Sequence, residues 1–326
     1  MPTGGSAVTD AGCSWSSGDL IAGEDEANMT SSSAGDESDE GIEAAVGAFN
    51  ESRPRLFGIA YRMLGSVAEA EDIVQEAWVR WQRTDRSVVR NPAGFLTTVT
   101  TRLALNTTES ARARREQYVG PWLPEPVDTS ADPSLGAENA EALESAVLVL
   151  LEKVRPDQRA AYVLREAFDY SYDEVADILG TSAANARQLV SRARKSVRSD
   201  RKERVDAARH RSLLEAFLAA ARNGDVKQLE QVLSADVVST TDSAGQAPRA
   251  ARRPVIGRDN VARFIAGWSD WWEGTTLSWV ETNGQTSVLA RRDGAPAVLL
   301  SASTSDSGID RLMWVMAPDK LTHLPA

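Results

Sequence analysis

The chain reads as three folded parts, two all-α and a third of mixed α+β type, and three observations predict this. Its 326 residues exceed what one hydrophobic core usually serves. Apolar residues recur at helical spacing from residue 44 to residue 204, interrupted by the proline-rich run 118–126. Beyond residue 204 the spacing changes to the two-residue alternation of strands.

Residues 1–43 are rich in Gly, Ser, Ala, Asp and Glu and hold too few large apolar side chains to offset the entropy of ordering, so they are expected to be disordered. Residues 44–117 carry one apolar stripe through Phe49, Leu56, Ile59, Ala60, Met63 and Leu64, then a second through Ile73, Val74, Ala77, Trp78 and Trp81. Gly65-Ser66 separates the two helices, and Asn91-Pro92 opens a third that runs through Phe95, Val99, Leu103 and Leu105 into Arg112, Arg114 and Arg115. Residues 118–137 form a linker whose first nine residues hold three prolines and a glycine, which excludes both helix and central strand. Residues 138–204 are again helical. Ser171 and Glu174 make a capping box, Gly180 ends that helix, and Ser182 caps the next, whose inward positions are Ala186, Leu189, Val190 and Ala193. Residues 208–326 begin with an amphipathic helix through Leu213, Leu214, Phe217 and Leu218. Strand-like alternation follows at 276–280, 287–290, 297–300 and 312–316.

The apolar runs are far too short to cross a bilayer, and residues 1–48 lack the basic and apolar regions of a secretory signal, so the expected compartment is the cytoplasm, without membrane contact. Cys13 is the only cysteine, which excludes an internal disulfide; neither metal nor cofactor is implied. The net charge of −11 argues against a nucleic-acid partner only until it is located. Residues 1–48 hold ten acids and no Lys or Arg, leaving the rest of the chain near neutral and locally very basic.

Residues 171–197 fit a helix-turn-helix, with Ala176 at the helix crossing and Gly180 in the turn. The second helix offers Asn185, Arg187, Gln188, Ser191, Arg192, Arg194 and Lys195, residue types that read major-groove edges and hold phosphates. Residues 187–204 carry a net charge of +6, more than a solvated helix face needs, which favours DNA over an ordinary basic bundle surface. In the first unit Arg86, Arg90, Arg102, Arg112, Arg114 and Arg115 can track a phosphate backbone; Trp78, Trp81 and Phe95 could stack on unpaired bases but are expected mainly to pack. The run 69–76 is acidic; residue chemistry alone leaves a solvated face and a docking face for a basic partner equally open.

Asp72-Ile73-Val74-Gln75-Glu76-Ala77-Trp78, the Asn91-Pro92 loop, the arginines before Tyr118 and the later helix-turn-helix resemble regions 2 and 4 of an extracytoplasmic-function sigma factor of bacterial RNA polymerase. Trp122-Leu123-Pro124-Glu125-Pro126, with 254–258, 283–285 and 318–321, is similar to the subgroup that carries a SnoaL-like C-terminal extension, a cone-shaped domain on a curved sheet. The resemblance implies that Asp72, Gln75 and Glu76 meet the clamp of the polymerase largest subunit, with a further contact at its flap. It implies that Arg90, Asn91, Arg102, Asn106, Arg112, Arg114 and Arg115 bind and help melt the −10 element, and that the helix from Ala183 reads the −35 element. The extension would act in cis on sigma activity, with 122–126 as a regulatory linker and an unknown small ligand as one possible input. Two departures stand out. Asn106-Thr107-Thr108-Glu109 replaces the family's acidic and basic residues, so a −10 preference does not carry over, and Asp242-Ser243-Ala244-Gly245-Gln246 replaces a D-G-G-G-K motif, which implies a weakened or altered regulatory contact.

Two other functions compete. A ligand-sensing regulator would use the helix-turn-helix without polymerase, and Asp72 and Gln75 would be dispensable to it. A SnoaL-like proton-transfer enzyme would need a cavity acid, from among Asp242, Asp259 and Asp270, paired with His210 or His323. The acids at 1–43 could also screen the basic surfaces as a nucleic-acid mimic, although a solvated extension is the simpler reading.

Overall fold

The computed structural model describes residues 27–130, 143–199, 202–247 and 250–324, and of residues 27–41 and 199 the backbone only. Residues 47–326 form one compact unit.

Helix α1 runs Ala27–Leu64, α2 Val67–Arg83 and α3 Pro92–Glu116. Helix α1 thus begins inside the stretch 1–43 that was expected to be disordered. Extending a helix adds a hydrogen bond per residue without repeating the cost of nucleation, so a weak former can continue a helix begun elsewhere. The rest of the expected tail, with Cys13, lies outside the described residues. Local signals set the other two starts: Ser66 Oγ accepts from the Glu69 amide at 3.3 Å, and Asn91 Oδ1 from the Gly94 amide at 3.0 Å with Pro92 in the first turn. Leu56, Ile59, Met63, Leu64, Trp81 and Leu96 fill the core between them. Trp78 packs on Phe49 and Trp81 on Phe95, at ring-centroid distances of 4.8 and 5.6 Å, so these aromatics do pack as expected.

The second helical unit comprises α4 (Ser145–Leu151), α5 (Pro156–Tyr162) running into a π turn at Val163–Ala167, α6 (Tyr172–Leu179) and α7 (Ala183–Ser199). Both bonds of the Ser171–Glu174 capping box form, and Gly180 closes α6 at φ +66°. Ala176, Ala186, Val190 and Ala193 are buried, and α7 packs on both α5 and α6.

The third domain holds α8 (Ala207–Asn223), α9 (Val226–Val232), β1 (Leu233–Asp242), β2 (Val255–Ile256), α10 (Arg258–Ala266), β3 (Thr275–Thr282), β4 (Gln285–Arg292), β5 (Ala295–Ser305), β6 (Gly308–Val315) and α11 (Pro318–Leu321). The six strands are ordered β2-β1-β6-β5-β4-β3, with β1 and β6 parallel and the other pairs antiparallel. Strands β1 and β2 are additions to the sequence expectation. Six of the ten β1 residues are polar, which hides its alternation, and β2 is only two residues long. Consecutive residues of the central strands face opposite sides. Val298, Leu300 and Trp314 pack with α8 and α10, whereas Leu299, Met313 and Val315 pack with Leu321, Leu324, Ala146 of α4 and Leu123 of the linker. The linker and the second helical unit thus complete the far face of the sheet.

Candidate nucleic-acid interface and the linker junction

On α7, Asn185, Arg187, Gln188, Ser191, Arg192 and Lys195 are exposed on one face because the opposite face carries the apolar residues buried against the other helices of the unit. Asn185 Nδ2 donates to Thr181 Oγ1 at 2.8 Å, and the Arg187 guanidinium lies 5.1 Å from the centre of the Tyr172 ring. Arg194 is placed differently, half-buried and donating to Glu166 Oε1 at 2.6 Å, which raises its pKa further. It orients α7 on the π turn.

Just before α3, Arg90 and Asn91 are exposed, and along it Arg102, Asn106, Arg112 and Arg114. Several are already engaged: Arg102 Nε donates to Ile178 O of α6 at 3.3 Å, Arg112 pairs with Glu116 at 3.4 Å, and Arg114 with Glu69. Arg115 is largely buried. It bonds Leu64 O and Glu152, and its guanidinium lies 3.8 Å from the centre of the Trp122 ring. The helix that carries the basic cluster is therefore packed against the second unit, with Thr97 Oγ1 3.0 Å from the Tyr170 hydroxyl as a further bond. Nearby, Arg159 is buried and donates to Met63 O at 2.6 Å, and burial lowers its pKa. On α2, Asp72, Gln75 and Glu76 form an exposed face, Glu76 paired with Arg80 at 2.9 Å.

Among its described residues the linker is held at several points. Glu125 caps α2, accepting from Ser66 Oγ at 2.9 Å and from the Val67 amide at 2.7 Å, while its own amide donates to Gly65 O at 2.9 Å. Gly65, at φ +66°, leaves room for Trp122: an added Cβ would stand 2.7 Å from its ring. The Leu123 peptide groups are gripped at both ends. Its amide donates to Asp242 Oδ2 at 2.8 Å and its carbonyl accepts from Lys320 Nζ. Asp242, fully buried, also accepts from the Tyr118 hydroxyl at 2.7 Å and from Lys320 Nζ at 2.7 Å. Lys320 lies 4.3 Å from the Trp122 ring centre, and burial pulls its pKa down against the attraction of Asp242. Pro124 and Pro126 are buried. Val127 then pairs with Asn283 through two bonds, and Thr129 with Glu281, so the linker adds itself to the edge strand β3.

The departure at 242–246, expected to weaken or alter a regulatory contact, spares its first member: Asp242 holds the linker. The replaced glycines leave another trace: Ala244 sits at φ +49°, a conformation natural to glycine. Tyr61, Tyr118 and Asn283 are contributors that residue chemistry did not mark, because their partners lie more than a hundred residues away or in another domain.

The groups a proton-transfer enzyme would need do not converge. Asp242 is locked at the linker, Asp259, Asp270 and His323 are exposed, and His210 is buried with Nε2 donating to Thr286 O at 3.0 Å. His210 Nδ1 lies 2.9 Å from Thr304 Oγ1, so both ring nitrogens are engaged, and burial lowers the pKa toward the neutral ring, in which Nδ1 accepts. The polar cavity beside it is about 80 Å³ and the tryptophan-lined one beside Trp268 and Trp272 about 20 Å³, both well below the usual size of a small-molecule site.

Comparison with known proteins agrees with this geometry. Residues 48–116 match the family model of sigma-70 region 2 and residues 144–197 that of sigma-70 region 4. The two helical units are thus the promoter-recognition modules of a polymerase sigma factor. The chain is 42% identical over 296 residues to the ECF RNA polymerase sigma factor SigJ of Mycobacterium tuberculosis, covering 86% of this chain and 94% of that protein. It is 32% identical over 286 residues to the probable ECF sigma factor SigI of the same organism, covering 86% and 95%. The crystal structure of SigJ superposes with a TM-score of 0.69 at 39% identity, over 86% of this chain and 99% of that one. The chain belongs to the extracytoplasmic-function sigma factors, in the form with a SnoaL-like C-terminal domain.

Proposed function

We propose that this sigma factor, which binds core RNA polymerase and directs promoter recognition, is held by its own third domain in a closed state. One observation carries the regulatory half: the linker between regions 2 and 4 is clasped by Asp242, Lys320 and Asn283 while Leu123 fills the far face of the sheet. The −10 and −35 elements are separated by about 25 base pairs, about 85 Å along B-form DNA. Helices α3 and α6 are bonded side by side through Arg102 and Ile178, so their modules cannot lie that far apart until the linker is released. In the open state the face of Asp72, Gln75 and Glu76 would dock on the clamp of the largest subunit, α7 would read the −35 element, and α3 would engage the −10 strand. The relatives are sigma factors rather than enzymes, which supports regulation over catalysis as the work of the third domain.

Run-off transcription with core enzyme tests both halves. A promoter-dependent transcript should require core and be lost with Asp72→Ala plus Gln75→Ala, whereas Asp242→Asn should increase it. Transcription independent of core would sink the first half, and a decrease with correctly folded Asp242→Asn protein would sink the second.

A further inference from the structure

We propose that the cleft between regions 2 and 4 beside Arg55 and Arg62 binds a small phosphate-bearing organic anion, whose presence favours the closed state. The cleft has a volume of about 550 Å³, within the range of small-molecule sites. Helix α1 contributes Arg55 and Arg62, seven residues apart and hence on one face. Helix α3 contributes its N-terminus through Asn91 and Ala93, where the helix dipole is positive, and region 4 contributes Phe168.

The two guanidiniums are positioned before any ligand arrives. Arg62 is 3% exposed, with Nη1 3.2 Å from Gly58 O and its guanidinium 4.9 Å from the Phe168 ring centre. Arg55 donates Nη2 to Phe168 O at 3.0 Å and lies 4.7 Å from the Tyr170 ring centre, while its buried Nε has no partner among the described residues. Gly58 permits this approach: a Cβ there would stand 2.9 Å from Arg62 Nη1 and 3.1 Å from Phe168 Cζ. Two acids oppose an anion, Glu51 on the exposed rim and Glu174, whose carboxylate feels the charge of Arg55. They are outweighed by two cations, of which one is buried, together with the helix terminus. Planar guanidiniums match phosphate oxygens in pairs, and Pro54, Pro92 and Phe168 supply apolar wall for the body of a larger molecule.

Because the walls come from both regions, the site is complete only while they are together. A ligand at about 100 times its Kd would favour the closed over the open state by about 100-fold if the open state does not bind it. That regulatory half rests on the closed-state reading; the binding half does not.

Isothermal titration of the full-length chain with inorganic phosphate and with AMP tests the site. Saturable binding at one site is expected, weakened at least about tenfold by Arg55→Gln or Gly58→Ala and unchanged by Arg187→Gln on the recognition helix. Tighter binding of AMP than of phosphate supports an organic ligand; binding of phosphate alone overturns that part and leaves free phosphate as the occupant. No saturation by either up to about 10 mM, weaker than the millimolar range of even poor ligands, overturns the site, as does an equal loss in Arg187→Gln. AMP should also slow protease cleavage of the linker. Binding without that protection would overturn the coupling to closure while the closed-state reading stands on its transcription test.

Discussion

Asn283 Nδ2 donates to the Tyr61 hydroxyl at 2.7 Å, joining the β3–β4 turn of the third domain to the core of region 2. The same amide reaches Leu143 O at 3.1 Å, and its oxygen accepts from the Val127 amide at 3.0 Å. One buried side chain therefore meets region 2, the linker and the start of region 4. Burial pushes the Tyr61 pKa up, so the hydroxyl keeps its proton for the Glu125 carbonyl at any physiological pH. Asn283→Gly keeps the turn, whose φ is +54°, but removes all three bonds. It should cost about 1–3 kcal/mol, the penalty of leaving buried polar groups unpaired, and speed cleavage of the linker in limited proteolysis. Unchanged cleavage would mean the junction does not hold the closed state.

Lys320 and Asp242 form a buried pair in which each also holds Leu123. Lys320→Met leaves the Asp242 carboxylate buried without its cation and should cost about 3–5 kcal/mol in urea denaturation. Combining it with Asp242→Asn should cost less than the two single changes added, because the stranded charge is gone. Additive costs would show that the two groups act separately.

Ala244 adopts a left-handed conformation that costs an L-residue about 1–2 kcal/mol relative to glycine. Ala244→Gly should raise the melting temperature of the third domain and, if the linker contact tightens with it, lower basal transcription. No rise in melting temperature would remove strain as the explanation.

Burial is the largest influence on His210 and lowers its pKa; Arg204 acts in the same direction, while the Thr286 carbonyl and Glu281 oppose it. The unfolded chain therefore binds a proton below about pH 6.5 that the folded domain resists. Stability is full above that pH and is lost as pH falls from there toward the depressed folded value. In His210→Gln the slope of unfolding free energy against pH between 7 and 5 should be shallower than in the wild type. Equal slopes would leave the carboxylates as the whole source of acid sensitivity.

Gln188 and Lys195 lie on the same face of α7 but should fail differently. Gln188→Ala should weaken one promoter sequence by about 1–3 kcal/mol and relax preference at one base, as loss of a bidentate base contact does. Lys195→Ala should weaken all sequences alike and reduce the salt dependence of binding by about one unit of slope. Holoenzyme binding to a randomised −35 element at several salt concentrations separates the two.

Much was decided by local sequence. The capping box of Ser171 and Glu174, the Asn91-Pro92 helix start, the Gly180 turn and the outward basic face of α7 follow from contacts within four residues or from helical period, and all stand in the structure. The helix-turn-helix and the exposure of its polar and basic residues were legible for that reason, as was the exposed acidic face of α2. The proline-rich run 118–126 was legible only as a segment that could be neither helix nor strand. Its work, with that of Val127 just beyond it, depends on partners about 60 to 200 residues away, Ser66 and Tyr61 on one side and Asp242, Asn283 and Lys320 on the other. The start of α1 and the polar strand β1 were hidden as well, since helix extension and strand pairing depend on what is already built beside them. Sequence alone marked the exposed basic and acidic surfaces; the tertiary fold decided that Arg102 and Arg115 are engaged within the protein and that the linker is gripped, because burying Leu123 and pairing its amide and carbonyl require region 4 and the third domain at once.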